Sequence, residues 1–117
     1  MSVKVYGIKN CNTMKKAFDF LDEKGVPYEF IDYKKQKPTI ELLEGFLKET
    51  DLASLVNKQG TTYRKMSDEQ KKALESEKTA LPILVENSSM IKRPVILSDN
   101  KVVMVGWNPE KWENLLK

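Results

Sequence analysis

Histidine is absent from the 117 residues and cysteine occurs once, at Cys11. Ser-His-Asp and Cys-His catalysis, His-based metal centres, Cys-based zinc sites and internal disulfides are therefore all excluded. Arginine is almost as scarce, because only Arg64 and Arg93 break a set of 20 basic residues that is otherwise lysine. No run approaches the ~18 consecutive apolar residues of a membrane span. The start Met1-Ser2-Val3-Lys4-Val5-Tyr6 lacks the apolar stretch of a secretory signal. A cytoplasmic protein with no membrane association is expected, and in that reducing compartment a lone thiol stays free. The formal charge of +3 is too small to argue for a nucleic-acid partner. The run Lys34-Lys35-Gln36-Lys37 carries no interleaved aromatics and reads as a solvated loop. No nucleic-acid partner is expected.

What is present is enough apolar material, 40% of the residues, for one domain with a proper core. Val3, Val5 and Tyr6 predict a first strand ending at Gly7, followed by a loop through Lys9-Asn10-Cys11-Asn12-Thr13. Met14, Ala17, Phe18 and Leu21 recur at helical spacing, with Asn12 or Thr13 as cap and Gly25 as stop. Tyr28, Phe30 and Ile31 mark a second strand, and a connection of this length favours parallel pairing. A helical stretch follows at about 39–90: Ile40 to Leu47, Leu52 to Val56, a segment opened by the capping-box pair Ser67 and Gln70, and one from Thr79 or Leu81 to near Ser88 with Pro82 in its first turn. Asn57 to Arg64 reads as a polar loop. Val95-Ile96-Leu97 and Val102 to Val105 flank the turn Ser98-Asp99-Asn100-Lys101 as an antiparallel pair. Asn108-Pro109-Glu110 then opens a helix with Trp112, Leu115 and Leu116 on its apolar face. The order is β-α-β, helices, β-β-α, without repeats or linkers, so the insert is expected to pack as part of one domain.

Cys11 precedes a helix, where unpaired N–H groups and the positive end of the helix dipole favour a thiolate. Lys9, Lys15 and Lys16 oppose that dipole and suit a bound anion. The alternative is a small buried hydrophobe, the common fate of a lone intracellular cysteine; the flanking Asn10 and Asn12 argue for the reactive reading. Arg64 and Arg93 are either surface ion-pair partners or ligands for a carboxylate or oxyanion, which the planar guanidinium binds bidentately and lysine does not. Pro94 precedes a strand, where either isomer is open and trans is the general rule.

The blocks Tyr6-Gly7-Ile8-Lys9-Asn10-Cys11-Asn12-Thr13, Gly60-Thr61-Thr62-Tyr63-Arg64 and Ile91-Lys92-Arg93-Pro94 resemble the signatures of the arsenate reductase-like family, particularly its YffB-type branch, in order and spacing over essentially the whole chain. The resemblance implies an α/β, thioredoxin-like fold with a mixed four-stranded sheet and a helical insertion. It implies Cys11 as nucleophile, with Arg93 and Arg64 binding the oxyanion or thiolate beside it, and a cis bond before Pro94; Lys9, Asn10, Thr13 and Pro94 complete the expected substrate-binding set. Glutathione-coupled arsenate reductases of the family carry a further arginine near the end of the last strand, but Val103-Met104-Val105-Gly106-Trp107 has none, which counts against arsenate reduction. The related Spx regulators often carry a Cys-x-x-Cys switch, whereas here Met14 takes the second position. The expected activity is that of a monothiol oxidoreductase working through a mixed disulfide, with glutathione as co-substrate, no bound cofactor and no metal. Its partners would be glutathione or another small thiol or disulfide. The alternative is an Spx-like protein that docks on a larger protein partner such as RNA polymerase.

Overall fold

The computed structural model describes residues 3–9 and 11–111. The chain forms two compact units, one from the segments up to Lys35 and from Arg93 onward, the other from Gln36–Lys92.

The first unit is built on a sheet. Strand β1 (Val3–Gly7) pairs in parallel with β2 (Glu29–Asp32), Val5 opposite Phe30. On its other side β1 meets β3 (Val95–Ser98) antiparallel, Tyr6 opposite Val95, and β3 meets β4 (Lys101–Val105), giving the order β2-β1-β3-β4. The β3–β4 turn places both Asp99 (φ 52°) and Asn100 (φ 67°) in the left-handed region, the signature of a two-residue type I′ turn whose twist matches that of the strands. Helix α1 (Asn12–Glu23) connects β1 to β2. It ends in a Schellman motif: Gly25 at φ 70° donates to Asp22 O at 3.1 Å and Val26 to Leu21 O at 2.9 Å. Met14 and Leu21 of α1 join Val3, Val5, Ile96 and Met104 in one buried cluster, where each large side chain is worth about 1.5–3 kcal/mol of burial. This is the mixed four-stranded sheet expected of a thioredoxin-like fold. The apolar face expected at Trp112, Leu115 and Leu116 lies outside the described residues; residues 109–111 form the start of a helical turn, and Lys111 N–H donates to Asn108 Oδ1 at 3.4 Å.

The second unit, between β2 and β3 in sequence, is helical: α2 (Ile40–Leu47), α3 (Leu52–Leu55), α4 (Thr61–Arg64), α5 (Asp68–Ala73), α6 (Glu77–Glu86) and a 3₁₀ turn Ser88–Met90. Helix α2 packs against α6, burying Leu43 and Phe46 from one and Leu81 and Leu84 from the other. Two expectations are corrected here. Thr61–Arg64 is a helical turn rather than loop, closed by Arg64 N–H on Gly60 O at 3.2 Å; a single turn is too short to show a hydrophobic period, and its β-branched threonines disguise it. Helix α6 begins at Glu77, not at Thr79 or Leu81, so Pro82 lies in the helix interior instead of the first turn. The earlier start is held by Ala80 N–H on Ser76 O at 2.8 Å and by the Thr79 hydroxyl, which donates to Ser76 O and to Ala73 O. The carbonyl that Pro82 leaves without an N–H belongs to exposed Lys78, where water can serve it.

Candidate active site

Helix α1 begins one residue after its thiol. Cys11 itself is the N-cap, in extended conformation (φ −144°, ψ 131°), its carbonyl accepting the Lys15 N–H at 3.0 Å. The expectation that Asn12 or Thr13 caps the helix is thus corrected: both are inside it, because the extended backbone needed at a cap falls one residue earlier. The thiol makes no capping hydrogen bond and the first turn holds no acidic residue. The helix end is left to the sulfur.

Cys11 is half-buried and unpaired with any other cysteine. Burial pushes its thiol up, but the N–H groups of Met14 and Thr13, the Arg93 guanidinium and the Thr13 hydroxyl together outweigh this, so that the thiol lies below its ordinary value. These are contributions to the anion: N–H donors and an opposite charge stabilise a thiolate more than a thiol. Among the described residues the charge acting on the sulfur is that of Arg93. Lys9, Lys15 and Lys16, which the sequence suggested for this task, are exposed to solvent, where salt screens them.

Arg93 reaches Cys11 through strand register. Because Tyr6 pairs with Val95 antiparallel, the residues just before β3 lie at the same end of the sheet where Gly7 leaves β1 toward Cys11. The Arg93–Pro94 bond is cis, Pro94 is buried, and its carbonyl accepts the Gly106 N–H at 2.9 Å. The first unit therefore brings together Cys11, Thr13, Arg93 and, through the peptide that joins it to Arg93, Pro94. Lys9 is adjacent through its carbonyl, which accepts the Cys11 N–H at 3.1 Å, while its ammonium is exposed. Asn10 lies outside the described residues. Arg64 is the exposed last residue of α4 in the second unit.

Met14 was legible only as an apolar helix position, yet its N–H serves the sulfur and its side chain is fully buried. Gly7 makes that burial feasible: a Cβ there would stand 2.5 Å from Met14 Sδ. The signal was a glycine ending a β-branched strand, which sequence reading takes only as punctuation.

The sequence matches the ArsC family over residues 6–115. It is 36% identical over 111 residues to an uncharacterized protein of Haemophilus influenzae, covering 95% of this chain and 96% of the other. The fold superposes on that of the YFFB (PA3664) protein with a TM-score of 0.91 at 38% identity, covering 99% of this chain and 100% of that one. An arsenate reductase (ArsC) related protein from Brucella melitensis, 42% identical over 100% of this chain and 96% of its own, superposes with a TM-score of 0.78.

Proposed function

The chain belongs to the ArsC family, and on that premise we propose that it is a thiol-dependent reductase in which Cys11 turns over through a mixed disulfide with glutathione. The observation that carries this reading is the sulfur at an uncapped helix start, facing two N–H groups, a hydroxyl and the Arg93 guanidinium. Such a sulfur is a ready nucleophile, because the thiolate is the attacking species.

In the proposed cycle the Cys11 thiolate attacks the glutathione sulfur of a glutathionyl disulfide substrate. A new S–S bond forms to Cys11, the substrate bond breaks, and the other half leaves as a thiolate that takes a proton from solvent. A glutathione thiolate then attacks the mixed disulfide at its outer sulfur and releases Cys11 as the thiolate that Thr13, Met14 and Arg93 stabilise. With one cysteine in the chain, the resolving thiol comes from solution. Arsenate is a poorer fit than a disulfide: a tetrahedral oxyanion carrying more than one charge calls for several forked donors, and β4 and the residues after it supply no arginine.

Incubating the reduced protein with oxidised glutathione and measuring its mass tests the reading. One glutathionyl group per chain is expected, reversed by reduced glutathione and absent from Cys11→Ser. Arsenate-dependent oxidation of glutathione is expected to stay near background. A protein that takes no adduct at any concentration of oxidised glutathione is not this enzyme.

A further inference from the structure

The second unit contains a cavity of about 500 Å³, within the ~300–1,000 Å³ range of small-molecule sites. Its walls come from α3 and the residues just after it, from α4, and from α5 and the residues just after that. The floor is apolar, formed by Leu52, Val56 and Leu74, of which Val56 is 2% and Leu74 4% exposed. Three lysines, Lys58, Lys71 and Lys72, line the cavity as well. Among the described residues none of their ammonium groups lies within ion-pairing distance of a carboxylate, although Asp68 and Glu75 line the same cavity. Lys71 Nζ instead lies 5.2 Å from the centroid of the Tyr63 ring, a cation–π contact that holds the charge at the cavity wall.

We propose that this cavity binds a small organic carboxylate with an apolar body, aromatic or aliphatic. The floor removes apolar surface from water, and the unpaired ammonium groups meet one negative charge at its edge. Three lysines set against two carboxylates leave a single positive charge in the lining, which matches a monoanion and disfavours a polyanion such as phosphate. Lysine also suits this task, since a compact ammonium on a flexible stem does not impose the bidentate geometry that arginine does. Tyr63 supplies an aromatic wall and a phenol that can donate to the carboxylate. The site uses none of the groups around Cys11, so it stands or falls independently of the reductase reading.

Phenylacetate and hexanoate are the probes, titrated into the isotope-labelled full chain and followed by amide chemical shifts. Saturable shifts at Ala53, Val56, Tyr63 and Leu74 are expected with at least one of them. The neutral analogue 2-phenylethanol and inorganic phosphate should each bind at least about tenfold more weakly than the better carboxylate. The double substitution Lys71→Gln with Lys72→Gln should weaken carboxylate binding by about fivefold or more, leaving the remaining amide shifts and the alkylation rate of Cys11 unchanged. No saturable shift with either carboxylate up to about 10 mM overturns the proposal. So does equal binding of 2-phenylethanol or of phosphate, or a lysine variant that binds as tightly as the parent.

Discussion

Helix α5 opens with Ser67, whose hydroxyl accepts the Gln70 N–H at 3.2 Å while the Gln70 side chain accepts the Ser67 N–H at 3.0 Å. Acidic Asp68 and Glu69 occupy its first turn and Lys71 and Lys72 its last, each charge placed with the helix dipole. Helix α1 opens with Cys11, whose side chain makes no capping hydrogen bond of the Ser67 kind, and has no acidic residue in its first turn. Both helices begin with the same unsatisfied N–H groups. In α5 the side chains use them for stability; in α1 the groups of Thr13 and Met14 remain aimed at a sulfur, where they favour its anion. A helix of α1's length tolerates the loss of a cap because Met14, Ala17 and Leu21 bury its apolar face, whereas six-residue α5 buries none of its side chains and relies on its ends.

The strongest break of this contrast is Cys11→Ser. It should abolish the glutathionyl adduct completely, yet leave thermal stability unchanged or raised by up to about 1 kcal/mol, because serine is a preferred cap where cysteine is not. An unfolding experiment that finds Cys11→Ser clearly destabilised would mean that the thiol is a packing residue. The reciprocal change, Ser67→Ala, should cost about 0.5–2 kcal/mol of stability in denaturant unfolding and leave the alkylation rate of Cys11 as it was. Equal stability would show that the α5 box is decorative.

The two helix starts were not equally legible. Ser67 and Gln70 form a local pattern whose physics is contained in four residues, and reading it required nothing else. At α1 the helix was readable from Met14, Ala17 and Leu21, but the cap was not, since Asn12 and Thr13 are stronger capping types than the cysteine that takes the position. The β-α-β order, the capping-box helix and the β3–β4 hairpin followed from periodicity and turn residues, which are short-range signals. A single turn such as Thr61–Arg64 carries no period, and Pro82, a residue type common in first turns, masks the earlier start of α6 at Glu77. The approach of Arg93 to Cys11 depends on the register of β1 with β3, a long-range pairing that no local pattern encodes; only the resemblance to a known family suggested it. The cavity over Leu52, Val56 and Leu74 was invisible for the same reason, as its lining is spread over three short helices.

Smaller effects sharpen the comparison. Replacing Arg93 with Gln removes the guanidinium charge that acts on the sulfur, and should slow alkylation of Cys11 at neutral pH by about two- to fivefold, with Arg93→Lys intermediate. A rate unchanged in Arg93→Gln would leave the helix end as the sole source of activation. The lowered thiol also links stability to pH. Because ionisation is easier in the folded chain than in the unfolded one, the added stability is complete above the ordinary thiol value and disappears as the pH falls through the lowered one. Measured against Cys11→Ala, the parent protein should therefore gain stability as the pH rises through that window. A difference independent of pH, or one that shrinks on raising it, would mean that the sulfur gains nothing from the helix end.

The most direct measurement is a titration of the Cys11 thiolate itself, followed by its ultraviolet absorbance in the reduced protein with Cys11→Ser as the blank. With Thr13, Met14 and Arg93 acting on the sulfur, the midpoint should fall below the ordinary thiol value of about 8.5 and move upward in Arg93→Gln. A midpoint at or above that value would contradict the assignment of Cys11 as an activated nucleophile.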